Sequence, residues 1–243
     1  MGPDDTASAG PLALAGGNEF GRGNEAADRV LVDACGGRPA YVVCAAIRDT
    51  PDRAAATARR WFASLGCEMS ELRVRSRGDA GSAATAERAA AAGLVYLAGG
   101  DPGRVVKLLA GSAVWEAIVT AWRGGAALAG SSAGAMALGE WTLVRDRWPG
   151  SETRRPLPGL GLVPGVAVLP HFDAFGKRWV PSAQAALPGA TLLGPDERTA
   201  AVWVDGRWTA RGPGRVTVLA GDAWRVAADG DEVVGLRQPV VPR

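Results

Sequence analysis

Residues Ala126–Leu138 have the sequence AALAGSSAGAMAL, which is the most informative segment of the chain. Ala126–Gly130 is a run of small apolar residues that predicts a buried strand, and Ala135–Leu138 predicts a helix after it. A serine on a sharp strand-to-helix turn needs small neighbours, because larger side chains would collide there. The sequence Gly130-Ser131-Ser132-Ala133-Gly134-Ala135 therefore predicts a nucleophile elbow with Ser132 at its tip. The alternative is a turn whose small residues serve close packing alone.

Short apolar runs alternate with helical patterns on both sides of this segment. The other strands predicted here are Leu12–Ala15, Ala40–Ala46, Leu72–Val74, Leu94–Ala98 and Val166–Leu169. The predicted helices lie between Asn24 and Gly36, from Pro51 to Leu65, from Ser82 to Ala92, from Pro102 onward and from Ser112 to Arg123. Strands that are apolar throughout and separated by helices indicate a parallel sheet covered on both faces. Trp141–Gly159 is charged and rich in proline, so we predict a loop there.

The last part of the chain has an antiparallel pattern. Two apolar runs, Ala200–Val204 and Arg207–Ala210, flank Asp205-Gly206, a pair that tolerates the positive φ angles of a tight hairpin turn. Val216–Leu219 and Val233–Leu236 are predicted to continue in the same style. We therefore predict an α/β fold in which a mostly parallel sheet has helices on both faces, with antiparallel hairpins at the C-terminus.

The composition excludes several classes of protein. Of the 243 residues, 47% are hydrophobic and 21% are charged, which is typical of a globular chain, and residues 1–243 are expected to form one domain. The formal net charge is +2 without a block of like charge, so neither nucleic acid nor a membrane is a predicted partner. Cys35, Cys44 and Cys67 lack disulfide-type or metal-type spacing, which indicates a reducing compartment and no metal site. Met1–Gly10 lacks the apolar run of a signal peptide, so we expect a cytoplasmic location.

His171 is the only histidine in the chain. It comes after the predicted strand Val166–Leu169 and Pro170, and functional groups of parallel sheets gather at the carboxyl ends of strands. Strands that end at Gly130 and Pro170 would bring Ser132 and His171 together. A serine nucleophile needs a base, and no other histidine is available for that task. The alternative is a histidine without a task, at the surface or in the core.

A carboxylate that orients the imidazole would complete the site. Glu197 lies within Gly194–Ala200, which has the sequence GPDERTA and precedes a predicted strand. Its other interpretation is a turn carboxylate at the start of that strand. Asp173 is close to His171 in sequence, and both side chains would leave the same face of the chain if the segment is extended. The other carboxylates near His171 in the sequence are Glu140, Asp146, Glu152 and Asp196, and the residues by themselves leave the choice of acid open.

The order serine, histidine, acid does not fit an α/β-hydrolase, in which the acid precedes the histidine. A class I glutamine amidotransferase would have cysteine at position 132. The chain instead resembles the serine peptidases that include dipeptidase E, an aspartyl dipeptidase, and cyanophycinase, and the resemblance covers most of the chain. The motifs that carry it are Gly16-Gly17-Asn18-Glu19-Phe20, Leu97-Ala98-Gly99-Gly100-Asp101, the elbow, Pro170-His171-Phe172 and Asp196-Glu197-Arg198-Thr199-Ala200.

The resemblance implies a fold like that of class I glutamine amidotransferases, a flavodoxin-like three-layer sandwich, with a Ser-His-Glu triad. Carried over by position, it makes Ser132 the nucleophile, His171 the base and Glu197 the orienting acid. Gly100 and Ala133 would supply the backbone amides of an oxyanion hole. The implied reaction is hydrolysis of a small peptide or isopeptide, aspartyl-linked bonds included, through an acyl-enzyme and without a metal or cofactor.

Departures from the family pattern leave the substrate open. Cyanophycinases typically have Gly-Gly-Asp-Gln after the central strand and an Arg-rich helix after the histidine, whereas this chain has Pro102 and then only Lys177 and Arg178. The Gly-Gly-Asn of dipeptidase E is also absent. Asp101, Lys177 and Arg178 are predicted substrate-binding residues, with one of the two cations pairing with a substrate carboxylate. The alternative is that both cations are simply solvated at a helix start.

Two rival functions remain at this stage. One is an amidase or esterase that acts on a non-peptide substrate, and the other is a non-catalytic binding module with the same fold. A homodimer stays open as an assembly.

Overall fold

The computed structural model describes residues 9–145 and 153–241, in which strands and helices alternate as predicted. The strands are β1 (Leu12–Ala15), β2 (Ala40–Val43), β3 (Met69–Glu71), β4 (Leu94–Leu97), β5 (Ala127–Ser131), β6 (Gly139–Arg145), β7 (Arg154–Pro158), β8 (Val163–Val168), β9 (Thr191–Pro195), β10 (Ala200–Val204), β11 (Arg207–Arg211), β12 (Val216–Ala220) and β13 (Ala223–Ala227). The helices are α1 (Glu25–Cys35), α2 (Pro51–Ser64), α3 (Arg77–Gly81), α4 (Ala83–Ala90), α5 (Pro102–Leu109), α6 (Ala113–Arg123), α7 (Ala133–Leu138) and α8 (Val180–Ala186), with a short 3₁₀ helix at Gly176–Trp179.

A seven-stranded sheet has the strand order β11-β10-β1-β5-β4-β2-β3. Its first five strands in chain order are parallel, and β10 and β11 add an antiparallel hairpin beside β1. Asp205 and Gly206 close that hairpin with positive φ angles of 48° and 80°. The mostly parallel sheet and its antiparallel hairpin are therefore confirmed. Because β1, β5 and β4 are parallel neighbours, the loops that follow them lie together at one edge of the sheet.

Helices cover both faces of this sheet, so the three-layer arrangement is also confirmed. One face packs against α1 and α2 in an apolar cluster that contains Leu31 and Phe62. The other face packs against α3 to α7 in a larger cluster that contains Leu109 and Trp122. These side chains are almost fully buried, and burial of apolar surface is the main favourable contribution to folding, at about 25 cal/mol per Å².

The larger cluster continues into a second sheet, which the sequence analysis does not predict. This sheet has the order β13-β12-β9-β8-β6-β7, with β6, β8 and β9 parallel and the outer strands antiparallel. Val168 of β8 and Leu193 of β9 belong to the same buried cluster as Leu128 of β5. The expectation that one sheet holds the strands before Ser132 and His171 is wrong, because β5 and β8 lie in different sheets. A single domain stays a prediction.

The structure also corrects the prediction of a loop at Trp141–Gly159. Much of it lies in β6 and β7, and its residues 146–152 lie outside the described residues. β7 is an edge strand, where prolines are tolerated because a missing amide interrupts no central ladder. The proline content that favours a loop is therefore compatible with Arg154–Pro158 as a strand.

Two further element predictions need adjustment, and two strands were not predicted. Val233–Leu236 is not a strand, since the only pairing in its vicinity within the described residues is an isolated bridge between Glu232 and Thr209. The short strand expected at Leu72–Val74 is β3, which ends at Glu71. β9 and β13 have no counterpart in the sequence analysis.

Within the described ranges, no single helix is long and apolar enough to cross a bilayer. α5 and α6 pass such a test only when taken together, and they are bent by 94° relative to each other. In the same ranges, no group of three or more His, Cys, Asp or Glu side chains is arranged to hold a metal ion. The prediction for Met1–Gly10 falls mainly on residues 1–8, which lie outside the described part of the chain.

Candidate active site

Ser132 occupies the turn between β5 and α7. Its backbone has φ 48° and ψ −110°, a conformation that residues other than glycine rarely adopt. A Cβ on Gly130 would lie 2.5 Å from the carbonyl carbon of Gly134, and a Cβ on Gly134 would lie 2.2 Å from the carbonyl oxygen of Leu97. The Ser132 amide donates a hydrogen bond of 3.0 Å to the carbonyl oxygen of Ala15. The backbone thus turns sharply where the elbow is predicted, and only small residues fit around the turn.

His171 reaches the same edge from the second sheet, shortly after β8. It has a φ of 52°, and its amide donates a hydrogen bond of 2.7 Å to the carbonyl oxygen of Gly16. The ring of Phe175 stacks on the imidazole with a centroid distance of 4.7 Å, a contact that sequence reasoning did not assign. Gly17 also lies against the ring, since a Cβ there would be 2.2 Å from Cε1 of His171. The orientation of the imidazole is therefore fixed by its surroundings.

Glu197 lies in the connection between β9 and β10, where the chain passes from the second sheet to the first. Its amide donates a hydrogen bond of 3.0 Å to Oδ1 of Asp173. The next amide, that of Arg198, donates one of 2.9 Å to the carbonyl oxygen of Gly17. Asp173, the alternative acid, therefore supports the backbone of Glu197.

Ser132, His171 and Glu197 form one hydrogen-bonded trio. Oε1 of Glu197 lies 2.8 Å from Nδ1 of His171, and Nε2 of His171 lies 3.0 Å from Oγ of Ser132. A carboxylate can only accept hydrogen bonds, so Nδ1 carries the proton and Nε2 presents its lone pair to the serine hydroxyl. In this tautomer the imidazole can remove the hydroxyl proton. The structure thus brings together the three residues that the resemblance selects.

The pKa of Glu197 is lowered, chiefly by its hydrogen bond with His171. Partial burial acts in the opposite direction, while a hydrogen bond of 3.1 Å from Nδ2 of Asn18 to Oε2 and the charges of His171 and Arg198 lower it further. The carboxylate therefore stays ionised at neutral pH, as the stabilisation of an imidazolium requires.

The loop after β1, Gly16–Phe20, contributes side chains to which sequence reasoning gave no role. Asn18 holds the second oxygen of Glu197, and Glu19 accepts hydrogen bonds from the Gly99 amide at 2.8 Å and the Ser131 hydroxyl at 2.9 Å. The glycines and the asparagine of the motif signal a tight loop, because they tolerate positive φ. The hydrogen-bond partners of Asn18 and Glu19 are remote in sequence, so no local signal identifies these contacts.

Of the two predicted oxyanion-hole residues, Ala133 directly follows Ser132, and Gly100 follows a residue that packs against Ser132. Ala133 is the first residue of α7, so its amide has no acceptor within the helix. Gly100 follows Gly99, where a Cβ would lie 3.3 Å from Cβ of Ser132. Gly100 is exposed, has a φ of 136°, and leaves no room for a Cβ, which would lie 2.5 Å from the carbonyl oxygen of Ala46. Glycine is therefore required there, and its oxyanion-hole role stays a prediction.

The predicted substrate-binding residues lie on two surface segments. Asp101 caps α5 with its side chain and pairs with Arg48 at 3.0 Å. Lys177 and Arg178 are exposed residues of the 3₁₀ helix after His171. Nζ of Lys177 lies 5.4 Å from the centroid of the Trp224 ring. Their role toward a substrate stays a prediction.

The fold is a three-layer α/β arrangement, and its serine elbow lies between a parallel strand and a helix. This combination defines a class of proteins and is typical of serine hydrolases. Residues 12–208 match the sequence profile of peptidase family S51. Since this match spans most of the chain, the protein belongs to peptidase family S51. The resemblance drawn from the motifs is therefore confirmed.

Proteins similar to this chain include two curated relatives and two solved structures. Proteins named cyanophycinase from Trichormus variabilis and Nostoc sp. are each 34% identical over 191 residues, which cover 74% of this chain and only 62% of each relative. The crystal structure of a peptidase from an acI-B1 actinobacterium has a TM-score of 0.82 at 28% identity and covers 94% of this chain and 98% of that one. A candidate peptidase E protein from Listeria monocytogenes EGD-e has a TM-score of 0.59 at 15% identity, with 87% and 98% covered, and supports the fold alone.

Proposed function

We propose that this protein is a serine peptidase that hydrolyses a small peptide or isopeptide. The observation that carries the proposal is the continuous hydrogen-bonded path from Oε1 of Glu197 through both ring nitrogens of His171 to Oγ of Ser132. Membership of peptidase family S51 and the similarity to proteins named cyanophycinase support an amide-type bond as the one cleaved.

The reaction proceeds in two steps. Oγ of Ser132 attacks the carbonyl carbon while Nε2 of His171 takes the hydroxyl proton, and Glu197 stabilises the resulting imidazolium. The amides of Gly100 and Ala133 donate hydrogen bonds to the oxyanion. When the carbon–nitrogen bond breaks, the imidazolium gives its proton to the leaving amine. Water then attacks the acyl-enzyme while His171 takes its proton, and His171 returns that proton to Oγ of Ser132 as the acid is released.

The substrate side of the proposal rests on charge. Lys177 or Arg178 pairs with a substrate carboxylate, and Asp101, next to Gly100, contacts the substrate from the other segment. A panel of dipeptides with α-linked and β-linked aspartyl bonds, alongside dipeptides without aspartate, measures this preference.

We place the reaction in the cytoplasm, and its steps use no metal or cofactor. Sedimentation or light scattering tests whether the protein acts as a homodimer.

Ser132→Ala tests the nucleophile. We expect kcat to fall on the order of 10⁴-fold or more while the melting temperature stays unchanged, because only a hydroxyl is removed. A fluorophosphonate is expected to label Ser132 of the wild type and leave the variant unlabelled. Ser64→Ala, at an exposed serine of α2, is the matched control and is expected to label normally. Substantial turnover by Ser132→Ala would show that the nucleophile lies elsewhere.

A further inference from the structure

Glu19 links the two segments that precede the reactive groups. Its Oε1 accepts a hydrogen bond of 2.8 Å from the amide of Gly99, and its Oε2 accepts one of 2.9 Å from the hydroxyl of Ser131. The Gly99 amide can only donate, and the Ser131 hydroxyl also donates to this side chain. One side chain from the loop after β1 therefore ties the loop after β4 to the end of β5.

The tied residues directly precede the groups on which oxyanion stabilisation would depend. Gly99 precedes Gly100, and Ser131 precedes Ser132. A Cβ on Gly99 would lie 3.0 Å from Oε1 of Glu19 and 3.3 Å from Cβ of Ser132, so Gly99 packs against both residues. Gly99 therefore joins Glu19 to the segment that carries the Gly100 amide.

The segment Gly99-Gly100 needs such a restraint. Glycine has the greatest backbone freedom of all residues, and Gly100 has a φ of 136°. Backbone donors of an oxyanion hole are effective only when they are aimed at the oxygen before the reaction begins. On the far side of the segment, the amide of Asp101 donates a hydrogen bond of 2.9 Å to the carbonyl oxygen of Ala46. Glu19 restrains the near side.

Glu19 is itself held in place by its neighbours in the loop. The side chain of Asn18 donates a hydrogen bond to Glu197. Phe20 is buried, and its ring centroid lies 5.0 Å from that of Tyr96. Because both neighbours are fixed, the half-buried carboxylate between them has little freedom to move.

We propose that Glu19 is a positioning residue that sets the distance between the Gly100 amide and Oγ of Ser132 through its two hydrogen bonds. This inference rests on the proposed hydrolase function. Glu19 acts on the transition state, in which negative charge develops on the oxygen that the Gly100 amide faces, and not on binding of the ground state.

The test measures inactivation by a fluorophosphonate. In this reaction Oγ of Ser132 attacks phosphorus, fluoride leaves, the hydroxyl proton passes to His171, and the phosphoryl oxygen takes the oxyanion position. Glu19→Ala removes both hydrogen bonds, so we expect the inactivation rate constant kinact to fall about 10²-fold while KI stays within about threefold. Glu19→Gln can accept from Gly99 and donate to Oγ of Ser131, so we expect its kinact within about tenfold of the wild type.

Glu25→Ala is the matched control. Glu25 also accepts a hydrogen bond from a backbone amide, that of Gly23 at 2.6 Å, in the same part of the chain. This variant is expected to leave kinact unchanged. Ser131→Ala alone should lower kinact, and its addition to Glu19→Ala should lower kinact by less than about twofold more, because the bond they share is already lost.

The outcomes separate this inference from the proposed function. A wild type labelled at Ser132 with a Glu19→Ala variant whose kinact lies within about threefold of it would overturn the inference and leave the proposed function standing. Equal losses in Glu19→Gln and Glu19→Ala would also overturn it, because the hydrogen bonds would not be the cause. A wild type that is not labelled at Ser132 would overturn both. If the melting temperature of Glu19→Ala is more than about 10 °C below that of the wild type, Ser131→Ala is the variant that tests the inference. An unchanged kinact in Ser131→Ala then overturns it.

Discussion

Strained backbone concentrates at the trio. Among the described residues, six residues other than glycine have positive φ, and all but Asp205 of the hairpin turn belong to the segments that carry or contact the trio, namely Asn18, Phe20, Ser132, His171 and Arg198. Each such conformation costs about 1–3 kcal/mol and persists only where surrounding contacts hold it. The strained conformations of Ser132 and His171 therefore serve geometry at the expense of stability.

At the residue scale, sequence reasoning could single out a residue that carries its own signal. Ser132 stands in a run of small residues, and His171 is unique in the chain. Glu197 needed the family resemblance, because the partner of a ring nitrogen depends on which segments the fold brings together. Asp173 competed with it on sequence distance alone, and the structure places its carboxylate on the amide of Glu197. Glu19 had no signal, because both of its contacts are long-range.

Glu197→Gln and Asp173→Asn distinguish the two acids. An amide in place of the Glu197 carboxylate favours the wrong tautomer of His171, so we expect kcat to fall about 10³-fold or more with KM within about threefold. Asp173→Asn keeps a carbonyl oxygen that can accept a hydrogen bond from the Glu197 amide, so we expect its kcat to fall by less than about tenfold. Steady-state kinetics of the two variants measured side by side decide the matter. A crippled Asp173→Asn with a near-normal Glu197→Gln would show that the acid is misassigned.

Helices were predictable where a capping residue and the apolar pattern lie within the same short stretch of sequence. α5 and α6 begin at capping residues, Asp101 and Ser112, whose side chains accept hydrogen bonds from amides in the first turn. Strands β7 and β13, the edge strands of the second sheet, were not predicted. β7 contains two prolines, and Arg225 interrupts the apolar residues of β13, so neither shows the continuous apolar pattern of a buried strand.

The position of the His171 ring depends on the shape of the loop after β1. Gly17 has a φ of 113°, and a Cβ there would meet the His171 ring. Gly17→Ala is expected to displace the imidazole and to lower kinact for the fluorophosphonate about 10²-fold, since a shift of ~1 Å suffices for such a loss. Gly21→Ala, in the same loop region with no atom within 4 Å of the new Cβ, is the control and should retain full reactivity. Normal labelling of Gly17→Ala would mean that the ring position is not set by this loop.

At the scale of the whole molecule, two sheets share one apolar core and meet at the trio. Ser132 follows a strand of the first sheet, His171 follows one of the second, and Glu197 lies where the chain passes between them. This arrangement could not be predicted from the sequence, because β10 pairs with β1 across most of the chain and short apolar strands do not specify their partners. The alternation of strands and helices predicts the first sheet alone.

A buried acid makes the stability of the whole molecule depend on pH. Burial raises the pKa of Asp28 from its ordinary 3.8 to about 7, although a hydrogen bond from Nε1 of Trp61 at 2.7 Å lowers it somewhat. The folded state therefore holds a proton that the unfolded state releases, and the free energy of unfolding falls as pH rises from about 4 to about 7.

Asp28→Asn removes this dependence. Its free energy of unfolding relative to the wild type should increase between pH 4 and pH 7 and level off above, by up to ~4 kcal/mol, because one pKa unit corresponds to about 1.4 kcal/mol. Denaturant unfolding at several pH values measures the difference. Asp33→Asn, at an exposed position of the same helix, should change stability by less than about 0.5 kcal/mol at every pH. A constant offset for Asp28→Asn across this range would contradict a buried, protonated Asp28.

The position of Glu197 directly before β10 also bears on when the protein becomes active. A ribosome releases the segment with Ser132 before those with His171 and Glu197, and β10 must still pair with β1 and β11 to complete the first sheet. A growing chain therefore carries its elbow serine without base or acid. The trio is therefore complete only after β10 and β11 have been made, so a growing chain of this protein cannot use it on itself.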